Sequence, residues 1–192
     1  VTESTTLNSP APRMVGSLPG DPTPRQRLAR MVRVDHAGEY GAKRIYEGQI
    51  SVLGKGRHGK TLRHMADQEL VHLQYFEKQL NARKVRPTLL QPLWHLTGFL
   101  LGAGTALLGE RAAMACTVAV EEVIEGHYEE QLKHLGPDEA ELADSIRVFQ
   151  AEEVEHRDIG LANEAEQAPA YPVLSAAIKA GTKAVIWVAE RV

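Results

Sequence analysis

Cysteine is almost missing from these 192 residues. Cys116 stands alone, so no disulfide can form within the chain, and a reducing compartment is expected. Aromatic residues make up only 5%, which leaves the core to aliphatic and small side chains. Excess positive charge is absent too: the formal net charge is -3, so there is no basic field to grip phosphates, and nucleic acid is excluded as a partner. No stretch alternates polar and apolar residues with period two, which removes β-strands and makes the expected class all-α. The opening VTESTTLNSP lacks the basic patch and apolar core of a secretory signal, and the missing initial Met suggests a processed or edited start.

What is present is 43% hydrophobic and 24% charged, enough for a globular core. Residues 1–22 are rich in Ser, Thr, Pro and Gly and poor in large apolar groups. Burial there cannot offset the ordering entropy, so a disordered arm is expected, followed by one domain over 23–192. Thr23-Pro24-Arg25-Gln26 has a capping residue, a proline at the first helical position and a Gln three after the cap, which predicts a helix running to Leu53. Leu62, Met65, Glu69, His72, Phe76 and Leu80, spaced by threes and fours, predict a second helix ending near Arg83. An apolar helix follows over Leu93 to Leu108, then helices over Ala112 to Leu135, Pro137 to about Ala165, and Val173 to Arg191, with prolines and glycines between them.

Two Glu-x-x-His words occur, Glu69 to His72 and Glu153 to His156. On a helix, positions three apart share a face, so a carboxylate oxygen and an imidazole nitrogen can reach one metal ion. With 19 glutamates and 8 histidines, roughly one such word is expected by chance, so the words alone carry little. A second layer of pattern carries more. Glu39 lies 30 residues before Glu69 and Glu121 lies 32 before Glu153, so a helix pair is duplicated with an offset of 82 to 84 residues. One Glu from each of two helices plus Glu-x-x-His from each of two others is the ligand set of ferritin-like di-iron and di-manganese bundles. Four carboxylates facing one another in a core are costly unless two divalent ions offset their charge. Oxygen and nitrogen donors without thiolate suit iron or manganese. Spacing leaves Glu121 and Glu125 as alternatives, because they lie one turn apart on nearly the same face. Tyr40, His127 and Tyr128 are candidates to hydrogen-bond a ligand, while His36, His64, His95 and His134 read as surface or packing residues.

Longer segments narrow the reading. Arg33-Val34-Asp35-His36-Ala37-Gly38-Glu39-Tyr40-Gly41-Ala42, Asp67-Gln68-Glu69-x-x-His72, Gly102-Ala103-Gly104-Thr105-Ala106-Leu107-Leu108-Gly109, Ala119-Val120-Glu121-Glu122 and Glu153-x-Glu155-His156-x-Asp158-Ile159-Gly160 resemble the demethoxyubiquinone hydroxylases, di-iron monooxygenases of ubiquinone biosynthesis. The likeness runs from Arg25 to Val192. It implies a ferritin-like four-helix bundle with additional membrane-associating helices. It also implies that Glu39, Glu69, His72, Glu121, Glu153 and His156 hold two iron ions, with Glu69 and Glu153 bridging, and are the catalytic set. The implied reaction is O2-dependent hydroxylation of a polyprenyl demethoxybenzoquinone ring, with NADH as electron source. Implied partners are the quinone, O2, a membrane surface and other members of a ubiquinone-biosynthesis complex. The implied location is peripheral, on the cytoplasmic face of a bacterial inner membrane or the matrix face of a mitochondrial one.

The 23 residues between Arg86 and Glu110 carry no Asp, Glu, Lys or Arg, which is long enough to cross a bilayer. A single crossing would part the helices bearing Glu39 and Glu69 from those bearing Glu121 and Glu153, so an apolar helix lying in one leaflet is expected, with the last helix beside it. Gly54-Lys55-Gly56-Arg57-His58-Gly59 matches a dinucleotide fingerprint formally but follows a helix instead of a strand, and reads as a flexible basic loop. The competing functions are a ferritin-like ferroxidase or iron-binding protein, and a membrane-bound helical scaffold whose glutamates are merely ion-paired.

Overall fold

The computed structural model describes residues 20–192, so the arm expected over 1–22 falls almost wholly outside the described residues. Among the described residues there is no strand. Six helices follow one another: α1 (Pro24–Leu53), α2 (Gly59–Arg83), α3 (Gln91–Leu107), α4 (Glu110–His134), α5 (Ala140–Ala162) and α6 (Tyr171–Ala189). The expected capping box opens α1, with Gln26 N donating to Thr23 Oγ1 at 3.2 Å and Thr23 N donating to Gln26 Oε1 at 2.8 Å. Helix α5 begins three residues later than expected, because Pro137–Glu139 forms a 3-10 turn first. Between α3 and α4, Gly109 adopts φ 114°, a conformation that a side chain would strain. The basic segment from Gly54 to Gly59 is a close turn, not a loose loop. Its His58 is buried, with Nε2 3.1 Å from Glu110 Oε2.

Helices α1, α2, α4 and α5 form the bundle, with α1 packed on α2 and α4, and α5 on α4 and α2. Every residue from Ala112 to Glu121 is buried, a run of small and apolar side chains without a solvent face. Such a helix belongs at the centre, and α4 touches α1, α3, α5 and α6. The extra helices follow the duplication: α3 packs on α1 as α6 packs on α4, so the repeated unit is three helices and not the pair that spacing suggested.

The glycines of α3 have a packing reason. A Cβ on Gly102 would lie 1.9 Å from the Ile45 carbonyl oxygen, and one on Gly48 would lie 2.2 Å from that of Phe99. Backbone therefore meets backbone where α1 crosses α3. An exposed helical Gly→Ala change stabilises by ~1 kcal/mol, whereas overpacking costs ~1–3 kcal/mol. Gly102→Ala is expected to destabilise the protein by about 1–3 kcal/mol in urea unfolding. A gain in stability would contradict the close crossing.

Candidate metal centre

Each bundle helix contributes to one buried cluster: Glu39 from α1, Glu69 and His72 from α2, Glu121 from α4, and Glu153 and His156 from α5. All six are at most 2% exposed. Their ligand atoms fall into two groups, each within 4.8 Å: Glu39, Glu69, His72 and Glu153, and Glu69, Glu121, Glu153 and His156. Glu69 and Glu153 belong to both. The geometry therefore brings together all six residues singled out by sequence. Glu125, the spacing alternative to Glu121, turns away and pairs with Arg157 Nη1 at 2.5 Å.

The donor atoms face a common space more than they face each other. His72 Nδ1 lies 3.3 Å from Glu39 Oε2 and 3.2 Å from Glu153 Oε1, and His156 Nδ1 lies 3.2 Å from Glu69 Oε1 and 3.4 Å from Glu153 Oε2. Yet both Nδ1 atoms, both oxygens of Glu69 and Glu153, and Oε2 of Glu121 make no hydrogen bond. An unsatisfied buried polar atom costs about 1–3 kcal/mol, so seven in one cluster fit a centre built for cations.

Electrostatics agree. Burial raises the Glu69 and Glu121 carboxyls well above their ordinary range, and the Glu153 charge adds to the effect on both. Burial also opposes ionisation of Glu153, but the nearby imidazoles of His156 and His72 outweigh it and lower the carboxyl to about 2. His72 shows the converse: burial disfavours its charge, but Glu153 and Glu39 push it up to about 12.

Two tyrosines fix the outer glutamates. Tyr46 on α1 donates to Glu121 Oε1 on α4 at 2.7 Å, and Tyr128 on α4 donates to Glu39 Oε1 on α1. Each tyrosine stands seven residues after the glutamate of its own helix and serves the glutamate of the other. Sequence reasoning found Tyr128 by that spacing and missed Tyr46, which the same spacing from Glu39 would have identified. Tyr40 contacts His95 Nδ1 at 2.6 Å, and His127 lies 2.7 Å from Gln131 Nε2 and 3.6 Å from Asp35 Oδ1, so both are engaged away from the six-residue cluster. His36 is a buried packing residue.

An apolar cavity of about 530 Å³ lies among α1, α3, α4 and α6. Gly38 and Ala42 line it on either side of Glu39 along α1, and Val120, the neighbour of Glu121, lines it from α4.

Helices that converge two Glu residues and two Glu-x-x-His words on one buried point define a four-helix-bundle carboxylate protein whose cluster could hold metal. The sequence profile of the family described as "Ubiquinone biosynthesis protein COQ7" matches residues 26–189. The chain belongs to that family. It is 61% identical over 176 residues to the 3-demethoxyubiquinol 3-hydroxylase of Rhodospirillum rubrum, covering 91% of this chain and 83% of that protein. It is 52% identical over 171 residues to the human mitochondrial NADPH-dependent 3-demethoxyubiquinone 3-hydroxylase, covering 87% and 79% respectively. The mitochondrial 5-demethoxyubiquinone hydroxylase of Saccharomyces cerevisiae is 43% identical over 182 residues, covering 86% and 78%.

Proposed function

We propose that this chain is a monooxygenase that hydroxylates the ring of a polyprenyl demethoxyubiquinol, at a di-iron centre held by Glu39, Glu69, His72, Glu121, Glu153 and His156. The observation that carries the reading is the pair of buried four-residue ligand groups sharing Glu69 and Glu153, beside an apolar cavity. The names of the relatives supply the substrate class. Two ferrous ions, when bound, supply reductive activation of O2. The protein's own residues do the rest. Glu69 and Glu153, members of both groups, are available to both ions, while Tyr46 and Tyr128 orient the carboxylates of Glu121 and Glu39. The apolar cavity accepts the quinol ring and the first part of its tail and keeps bulk water away. The electron source is a nicotinamide nucleotide, NADH or NADPH; the human relative's name specifies NADPH.

The direct test supplies iron, a reductant, O2 and a short-tailed demethoxyubiquinol to the purified full chain. A ring-hydroxylated product is expected only after loading with two equivalents of iron. Product from metal-free protein, or none from loaded protein, defeats the reading. Loading should also release protons, because the pKa values of Glu69, Glu121 and His72 are raised whereas a metal ligand must be deprotonated. Acidification of a weakly buffered solution measures this, and affinity should therefore rise with pH.

The outer helices suit a lipid surface. Leu93, Leu96, Leu100 and Leu107 are exposed along one side of α3, and Val173 and Trp187 are exposed on α6. Helix α6 is long and apolar enough to cross a membrane by length and composition, yet it docks along α4 and α1. Both helices lie in the surface of one leaflet, which delivers a lipid-borne quinone to the cavity between them. Burying a leucine is worth about 2 kcal/mol, so Leu96→Glu with Leu100→Glu should lower liposome binding by roughly a hundredfold or more. Helix content and iron should persist, because neither side chain is in the core. Unchanged flotation with liposomes would remove this contact.

A further inference from the structure

The centre is almost symmetric. Under the repeat offset of 82 to 84 residues, Glu39 matches Glu121, Tyr46 matches Tyr128, Glu69 matches Glu153 and His72 matches His156. Each outer glutamate takes one tyrosine hydroxyl from the opposite repeat. The symmetry extends to the far nitrogen of each imidazole and breaks there. His156 Nε2 meets Gln68 Oε1 at 3.0 Å, and His72 Nε2 meets Glu152 Oε2 at 2.5 Å. Gln68 and Glu152 are equivalent positions, each the residue before the glutamate of a Glu-x-x-His word and each reaching across to the histidine of the other word. One is a neutral amide; the other is a carboxylate.

We infer that Glu152 and Gln68 are positioning residues that make the two metal positions unequal, so that the ion beside His72 binds first and more tightly. This rests on the di-metal reading above. With Nδ1 facing the ligand cluster, each imidazole has Nε2–H as donor to its outer partner, which fixes the tautomer and the ring. A carboxylate acceptor draws that proton towards itself and makes Nδ1 a stronger electron donor than an amide acceptor does. The inner ligands of the two positions are otherwise matched: two shared glutamates, one outer glutamate and one histidine each. The outer charge is therefore the difference that decides their order.

Exchanging the two residues tests this, since Gln accepts the same N–H bond as Glu and only the charge is removed. Metal-depleted full chain is titrated anaerobically with Co(II), followed by calorimetry and by its visible absorption. The wild type is expected to fill in two steps separated by about tenfold or more, within the usual 10–100-fold effect of outer partners. The tighter step should vanish in His72→Ala and survive in His156→Ala. Glu152→Gln should weaken that step and merge the two, and Gln68→Glu should merge them by tightening the second. The double exchange keeps the total charge and should restore two steps, with the tighter one now lost in His156→Ala. Circular dichroism checks that each variant is folded, and the double exchange carries the test should either single variant fail to fold. Two equal steps in the wild type, or a separation indifferent to the exchanges, overturns the inference and leaves the di-metal centre standing. No Co(II) binding at all overturns the centre and the inference together.

Discussion

Glu153→Ala is expected to strip both iron ions from the protein and lower hydroxylation beyond detection, whereas Glu125→Ala should keep both and most of the activity. Glu153 belongs to both ligand groups, with one oxygen 3.2 Å from the imidazole of His72 and the other 3.4 Å from that of His156. In the proposed centre its removal would take a charged ligand from both candidate groups at once, an effect larger than the 10–100-fold loss typical of an outer partner. It also leaves two buried imidazoles without the carboxylate beside them that raises the pKa of both, so some loss of stability is expected beside the loss of iron. Glu125 sits one turn along the same helix and is equally acidic, but it spends its charge on Arg157 at the half-exposed edge of the bundle. An exposed pair of that kind contributes ~0–1 kcal/mol. Iron per chain, measured on both variants after anaerobic loading, decides the matter. Two irons retained by Glu153→Ala would refute the shared position assigned to it.

Turnover under ¹⁸O2 is expected to place one labelled oxygen on the ring of essentially every product molecule, with none from labelled water. The expectation follows from where the cavity lies. Gly38, Ala42 and Val120 flank Glu39 and Glu121 with small or apolar surface, so the space next to the candidate centre favours a ring over water. Excluding water protects the reacting oxygen from loss to solvent. Filling the cavity should therefore uncouple the reaction. Gly38→Leu places a large side chain towards Ile124, whose Cδ1 would be 3.7 Å from a Cβ at that position, and should raise KM for the quinol and divert reductant to peroxide or water. Label from water in the wild-type product, or consumption of O2 without any ring product, would favour a ferroxidase-type activity over the hydroxylase.

How much of this centre is legible in the sequence depends on the distance over which each feature is set. The candidate ligands are legible because Glu-x-x-His is local: three residues along a helix fix a shared face whatever the helix packs against. The duplication is legible because it is a spacing. The capping box at Thr23 and the breaks at Gly54, Gly109 and Gly136 are legible for the same reason, and the helices fall within a few residues of their expected limits. The tight turn at Pro137–Glu139 escaped because a proline start fits a 3-10 turn as well as an α-helix.

Other features depend on how helices are rotated about their axes, which no single helix encodes. Composition and spacing determined an all-α chain with four carboxylates and two imidazoles available for metal, and an apolar stretch unable to span a bilayer without dividing them. Only the tertiary structure turned Glu125 towards Arg157, set Tyr46 instead of Tyr40 beside the cluster, and paired His72 with Glu152 and His156 with Gln68. It also turned the glycines of α3 into the points where that helix touches α1. The physical reason is that residues one turn apart differ little in local environment. Which of them meets a partner 50 to 90 positions away is decided by the crossing of helices, and the crossing is set by close-packed side chains from the whole bundle acting together.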